Sequence, residues 1–266
     1  MAPTRLMGIV NVTPDSFSGD GVMEPARAVE RGLAMARAGA ALVDVGGEST
    51  RPGHTPVPAA EEIRRVVPVI RELAGHGVTV SVDTSKLDVA EAAADAGAAW
   101  INDVWGLQRS PAMAGLARER GLGLILMHNQ DGTHYAGDII DEMKRSLRRS
   151  VEVAERAGVP SERIVIDPGI GFGKTAVQNV TVLQRLEELH ELRHPILVGV
   201  SRKSFLERVF GLAMPERIWG TAAAVAVSVM KGAAIVRVHD VHEMSAVVRV
   251  AEAMSTVERP RFTEQS

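Results

Sequence analysis

The sequence predicts an α/β chain folded as a (β/α)8 TIM barrel with eight parallel strands. Three observations predict it. Eight short apolar or β-branched runs recur along the chain, separated by stretches of helical period. Most of the runs are continuously apolar rather than alternating, the pattern of strands covered on both faces. Eight βα units in roughly 255 residues also suit such a barrel. An open doubly wound sheet is the rival arrangement. No GxGxxG follows the first run, which weakens its dinucleotide-binding version.

The elements follow in order. A strand over Arg5–Val12 precedes a helix over Pro25–Ala38, whose Ala28, Val29, Leu33 and Ala36 form one stripe. A strand over Ala41–Gly47 leads to a helix over Ala59–His76, with Ile63, Val66, Val67, Ile70 and Leu73 at helical spacing. The next pairs are Thr79–Asp83 with Leu87–Ala96, Trp100–Val104 with Pro111–Arg120, and Gly123–His128 with Ile139–Ala157. Ile164–Asp167 precedes Asn179–Leu189, Ile196–Val200 precedes Trp219–Lys231, and Ala234–Val238 precedes Val241–Met254. Gly39, Gly77, Gly97, Gly121, Gly158 and Gly232 follow helix ends, where a left-handed cap favours glycine. A single domain over residues 1–254 is expected, with a polar tail over 255–266.

Composition narrows the function. The 266 residues carry a net charge of −3, against a general nucleic-acid binder. Aromatics are only 3%, too few to stack along a strand of bases. The absence of cysteine rules out disulfides, cysteine-ligated zinc and thiol catalysis. No apolar run reaches the ~18 residues that span a bilayer. Residues 1–13 hold one Arg and no long apolar stretch, so no signal peptide is expected and a cytoplasmic setting is.

Polar residues gather where the strands end, the face that carries chemistry in this barrel. The first strand ends at Asn11, followed by Thr13 to Ser18. The second gives Gly46 to Gly53, including Glu48, Thr50, Arg51 and Pro52. The third closes on Asp83 before Lys86, and the fourth holds Asn102 and Asp103. His128 ends the fifth, and Asp167 opens a glycine-rich turn to Lys174 after the sixth. The seventh gives Ser201-Arg202-Lys203-Ser204, and the eighth Arg237, His239 and Asp240. Three of the five lysines (86, 174 and 203) lie just after strands.

Such a mouth suits a substrate with a hydrogen-bond donor edge at one end and an anion at the other. Asp83 and Asp167 close apolar strands and are expected to be partly buried, where a carboxylate must be paired. Each can accept two parallel N–H bonds from an amino-heterocycle. Asn102 offers a donor and an acceptor for the rest of such a ring. Arg51, Arg237 and His239 can clamp a phosphate. Asn11 is a neutral oxygen ligand for Mg²⁺ already carried by phosphate. Singly, each has a plainer reading: an ion pair or helix cap for either aspartate, a satisfied core position for His128 or His239. Asp103 reads as an orienting group rather than a catalyst. The GxGFGK stretch at 169–174 departs from the Walker pattern. Eight polar strand ends in succession favour a site.

Met7 to Ser18, Gly46 to Gly53, Asp167 to Lys174, Ser201 to Phe205 and Arg237 to Val241 resemble, in order, the signature motifs of the dihydropteroate synthases. The resemblance runs to about Met254. It implies a transferase of folate biosynthesis, the target of sulfonamides. That family joins 6-hydroxymethyl-7,8-dihydropterin diphosphate to 4-aminobenzoate and releases diphosphate. It implies that Asp83, Asn102, Asp167 and Lys203 hold the pterin, with Met127, Phe172 and Gly199 lining its pocket or the adjoining one. Asn11, Arg51, Arg237 and His239 would hold the diphosphate, with Asn11 on Mg²⁺. Phe17, Thr50, Pro52, Lys203 and Ser204 would border the 4-aminobenzoate site. The catalytic set would be Arg51, Lys203, Arg237 and His239. The implied partners are the two small substrates and a second copy of the chain, with no nucleic acid or membrane. Three local departures bear on loop geometry: Ser18-Gly19-Asp20-Gly21, Trp105 and Asn129. Corrinoid methyltransferases share the pterin contacts but have no need of Arg51, Arg237 and His239 together. A non-catalytic paralogue should have lost residues of Gly46–Gly53, which stands complete.

Overall fold

The computed structural model of the chain describes residues 3–13, 24–49 and 56–255. The strands are β1 (Arg5–Asn11), β2 (Ala40–Gly46), β3 (Val80–Asp83), β4 (Trp100–Asp103), β5 (Gly123–Met127), β6 (Ile164–Asp167), β7 (Leu197–Val198) and β8 (Ile235–Val238). Helices follow them: α1 (Pro25–Arg37), α2 (Ala59–Gly75), α3 (Leu87–Asp95), α4 (Ala112–Arg120), α5 (Ile139–Arg156), α6 (Ala176–Gln184), α7 (Phe205–Phe210), α8 (Arg217–Met230) and α9 (Val241–Met254). Every ladder is parallel, in the order β6-β5-β4-β3-β2-β1-β8-β7. The two ends meet where Ile166 bridges Ile196, and the Ile166 N–H donates to the Pro195 carbonyl at 3.0 Å. The sheet thereby closes into a barrel.

Alternation along each strand sends every second side chain inward. Met7, Leu42, Trp100, Ile125, Val165, Leu197 and Ile235 pack together as one buried cluster that fills the lower barrel. Two residues further along, the inward positions are Ile9, Asp44, Asn102, Met127, Asp167, Gly199 and Arg237. The outward residues join the helices in the larger core, for example Val43, Val45, Val80, Val82, Ile101 and Leu124. The same alternation thus builds an apolar floor and a polar layer above it.

The helix-end glycines at 39, 77, 97, 121, 158 and 232 all take positive φ, between 65° and 103°. Three elements differ from expectation. α6 starts at Ala176, earlier than Asn179, because Thr175 and Gln178 form a reciprocal capping box. It stops at Gln184, and a 3-10 segment continues over Leu186–Leu192. β7 has only two residues, since the chain turns at once and the Val200 carbonyl accepts from the Lys203 N–H at 3.5 Å. The six-residue α7 was not expected, being too short to show a period. Among the described residues no helix is long and apolar enough to cross a membrane. The expected tail, from residue 256 on, lies outside the described residues.

Candidate active site

The polar layer is a charge network inside the barrel. Arg237 donates from Nε to Asp44 and from Nη2 to Asp83, each at 2.6 Å. Asn102 donates to the same Asp44 oxygen as Arg237, its Nδ2 reaching Oδ2 at 2.9 Å. Asp44, Asp83 and Asn102 are all buried. The pairing leaves acceptors over: Asp44 Oδ1, Asp83 Oδ1 and Ser81 Oγ are buried and make no hydrogen bond. A buried oxygen without a donor is costly, and a bound ligand carrying N–H groups removes that cost. Burial pushes the Asp83 carboxyl up to about 7, against the pull of Arg237. Burial also raises Asp167 above the usual carboxylate range, while Lys203 works the other way.

Asp167 faces this network from β6, and its Oδ1 accepts the Gly169 N–H at 2.7 Å. Lys203 enters from the loop after β7. Its ammonium donates to the Ile170 carbonyl and stands 4.8 Å above the Phe172 ring. Burial lowers Lys203 to about 8, with Asp167 opposing. Gly199 leaves this space open, since a side chain there would start 3.7 Å from Lys203 Nζ. His239, after β8, turns its Nδ1 to Ser201 Oγ at 2.9 Å. Asn11 ends β1. Its Oδ1 would lie 3.8 Å from a first side-chain carbon at Gly46, so the glycine keeps a cradle open between Asn11 and Asp83.

Residues 7–239 match the family described as pterin binding enzyme. The dihydropteroate synthase of Bacillus subtilis is 44% identical, over 94% of this chain and 88% of the relative. That of Mycobacterium leprae is 43% identical, over 95% and 94%. The chain belongs to the dihydropteroate synthase family. Solved structures agree with this. The Clostridium difficile dihydropteroate synthase, determined in the presence of pteroic acid, superposes with a TM-score of 0.90 at 45% identity, covering 95% of this chain and 97% of the other. The Xanthomonas albilineans dihydropteroate synthase with 4-aminobenzoic acid gives 0.89 at 42%, covering 96% and 94%.

As a dihydropteroate synthase family member the chain is a transferase, and its fold gathers several expected site residues. Asn102, Asp83, Asp167, Met127, Gly199, Lys203, Phe172 and Arg237 converge on the upper barrel. Ser204 stands exposed at the N-terminus of α7. Phe17, Thr50, Arg51 and Pro52 lie outside the described residues. On the described residues to either side of that stretch in the sequence, Glu48 accepts the Val57 N–H at 3.0 Å and pairs with Lys86, which also reaches buried Glu62 at 2.5 Å. Asp103 accepts the N–H groups of Trp105 and Leu107 at 2.9 and 2.6 Å, which caps the turn after β4.

Sequence reasoning missed Asp44, the partner of both Arg237 and Asn102. Its signal was present. It is the one carboxylate inside the apolar run 41–47, two residues beyond inward-facing Leu42. Ser81 and Glu62 were also missed; they are buried polar side chains in otherwise apolar stretches.

Proposed function

We propose that this chain condenses 6-hydroxymethyl-7,8-dihydropterin diphosphate with 4-aminobenzoate to give 7,8-dihydropteroate and diphosphate. The single observation that carries the reading is the unpartnered, buried Oδ1 of Asp83 beside Asn102 and Asp167. A pterin offers a row of N–H donors that this acceptor lacks. Asp83, Asn102, Asp167 and Lys203 orient the ring, and Met127, Phe172 and Gly199 give it walls.

The reaction then turns on charge. The C–O bond to diphosphate breaks ahead of full C–N bonding, and the dihydropterin spreads the positive charge of its methylene carbon. Buried Asp83 and Asp167 oppose that charge. The amine of 4-aminobenzoate attacks the carbon, loses a proton to water, and diphosphate leaves with the C–O electron pair. Arg237 spends Nε and Nη2 on carboxylates, which fixes its plane, and Nη1 serves the leaving group. His239 and Arg51 complete that anion site, while Phe17, Thr50, Pro52 and Ser204 border the amine.

Mg²⁺ belongs to the same reading. The donor set fits it: Asn11 offers one neutral oxygen beside the Gly46 cradle, and among the described residues no three His, Asp or Glu form a cage. A magnesium ion that keeps few protein ligands is one bound chiefly by phosphate, whose charge it neutralises. We place the enzyme in the cytoplasm and read it as a homodimer through α8 and α9. A corrinoid methyltransferase would share the pterin contacts but release no diphosphate.

The test is diphosphate release from dihydropterin diphosphate and Mg²⁺, with and without 4-aminobenzoate. Amine-dependent release with dihydropteroate formed is expected; pterin binding with no release would overturn the reading. Arg51→Ala should keep the fold yet lower kcat by roughly 10²–10³, as loss of an oriented charge contact does.

A further inference from the structure

The reaction above has no use for Lys174, yet this lysine is buried at the mouth of the barrel. Its Nζ donates to the Gly169 carbonyl and to the Phe172 carbonyl, each at 3.1 Å, and meets His128 Nδ1 at 3.0 Å. Burial pulls Lys174 down to about 7, with Asp167 opposing; in its ammonium form it has three N–H donors, and the three acceptors take them all. The arrangement fixes the imidazole as well. Nδ1 must present its lone pair, so the ring proton sits on Nε2. Burial holds His128 neutral, down to about 3, which agrees with that role.

Two of the three acceptors belong to one turn, and the third stands at the end of β5. Lys174 therefore fastens the turn 169–173 to the neighbouring strand. The fit is close: a side chain at Gly169, where φ is +68°, would start 2.0 Å from the His128 carbonyl oxygen. The outer half of the turn has other supports. Asn179 Oδ1 accepts the Gly171 N–H at 2.6 Å, and the Tyr135 hydroxyl donates to the Gly173 carbonyl at 2.9 Å. The inner half is what touches the pterin residues. The Gly169 N–H holds Asp167, the Ile170 carbonyl holds Lys203, and the Phe172 ring lies under the Lys203 ammonium.

We infer that Lys174, seated on His128, is a positioning residue that sets the turn 169–173 so that Asp167 and Lys203 meet the pterin together. The inference rests on the reaction proposed above. The hydrogen bonds that Asp167 and Lys203 make to the ring are formed in the ground state already, and the turn fixes their direction while the Asp167 charge stays near the reacting carbon, so misplacing them weakens binding more than turnover.

Lys174→Met keeps the length of the side chain and removes the three donors. We expect the KM for dihydropterin diphosphate to rise about tenfold while kcat stays within about threefold. Amide exchange at residues 170–173 should quicken in the same variant. A KM within about twofold of wild type overturns the inference. If Lys174→Met fails to fold, His128→Asn and His128→Leu decide. Asn places an oxygen where Nδ1 stood and should behave as wild type, whereas Leu should show the raised KM. Equal behaviour of the two overturns the inference. Wild-type protein separates the two questions, since it alone tests the reaction. Should it not turn over, the same variants are titrated with dihydropterin diphosphate and the ratio of Kd values is read in the same way. Wild-type protein that binds no pterin removes both.

Discussion

Asp83 and Lys203 stand in the same polar layer, and burial moves their protonation equilibria toward each other. The Asp83 carboxyl is raised to about 7 by burial and the Lys203 ammonium lowered to about 8. The sign of each effect on ligand binding follows directly. Below about 7 Asp83 takes up a proton and ceases to be a pure acceptor. Above about 8 Lys203 loses its proton and its charge. The reciprocal of KM for dihydropterin diphosphate should therefore peak between these limits and fall on both sides. Arg237 is the largest charge favouring ionised Asp83. Arg237→Met should move the acid limb to higher pH by about one unit, whatever it does to the absolute KM. A pH–KM profile whose acid limb does not move would show that the Arg237–Asp83 pair does not set the protonation of the site.

At the level of strands, alternation decides what is floor and what is site. The floor is dominated by Trp100, which is fully buried. It fits because the neighbouring strand begins with glycine: a side chain at Gly123 would start 2.2 Å from the indole ring. Gly123→Ala is thus an overpacking change, expected to cost about 1–3 kcal/mol. The polar layer lies above the floor at the other end of the strands, where activity resides. We expect a lowered Tm by calorimetry with kcat within about twofold of wild type at assay temperatures below that Tm. A large fall in kcat at unchanged Tm would contradict this division of the barrel. The same alternation explains what the sequence made legible. Strand positions follow from continuous apolar runs, and the polar residue closing each run marks the mouth, so Asp83, Asn102 and Asp167 could be chosen without coordinates. Partners could not. Arg237 and Asp44 are 193 residues apart, and only the sheet order that sets β1 between β2 and β8 makes them a pair. Lys174 was visible as a residue after a strand, but its three acceptors come from the end of another strand and from a turn. Short elements such as α7 carry too little periodicity to be seen.

On the whole molecule, the outer helices differ in what they leave exposed. Most bury their apolar stripe against the barrel; α6 and α7 expose Val177 and Phe210, and α8 and α9 turn several apolar residues outward. Trp219, at 74% exposure, Val227 and Met230 fall on one side of α8, and Val250 and Met254 lie one turn apart on α9. The two helices pack against each other, so these side chains border one surface. Exposed apolar residues gathered on two adjoining helices suit an interaction surface. A second copy is the occupant that the homodimer reading requires, and a two-fold contact presents the same patch from both sides. A stable interface of this kind buries about 1,600 Å² in total, within reach of two helices a side. The chain should therefore sediment at twice its own mass at micromolar concentration. Trp219→Glu combined with Val250→Glu puts two charges into the contact without touching the barrel core, and should give a monomer. The active layer lies at the strand ends rather than on the outer face of these helices, so the monomer should retain amine-dependent diphosphate release within about threefold. A wild-type protein that sediments as a monomer would sink the homodimer reading, and a double variant that stays dimeric would move the interface to another face.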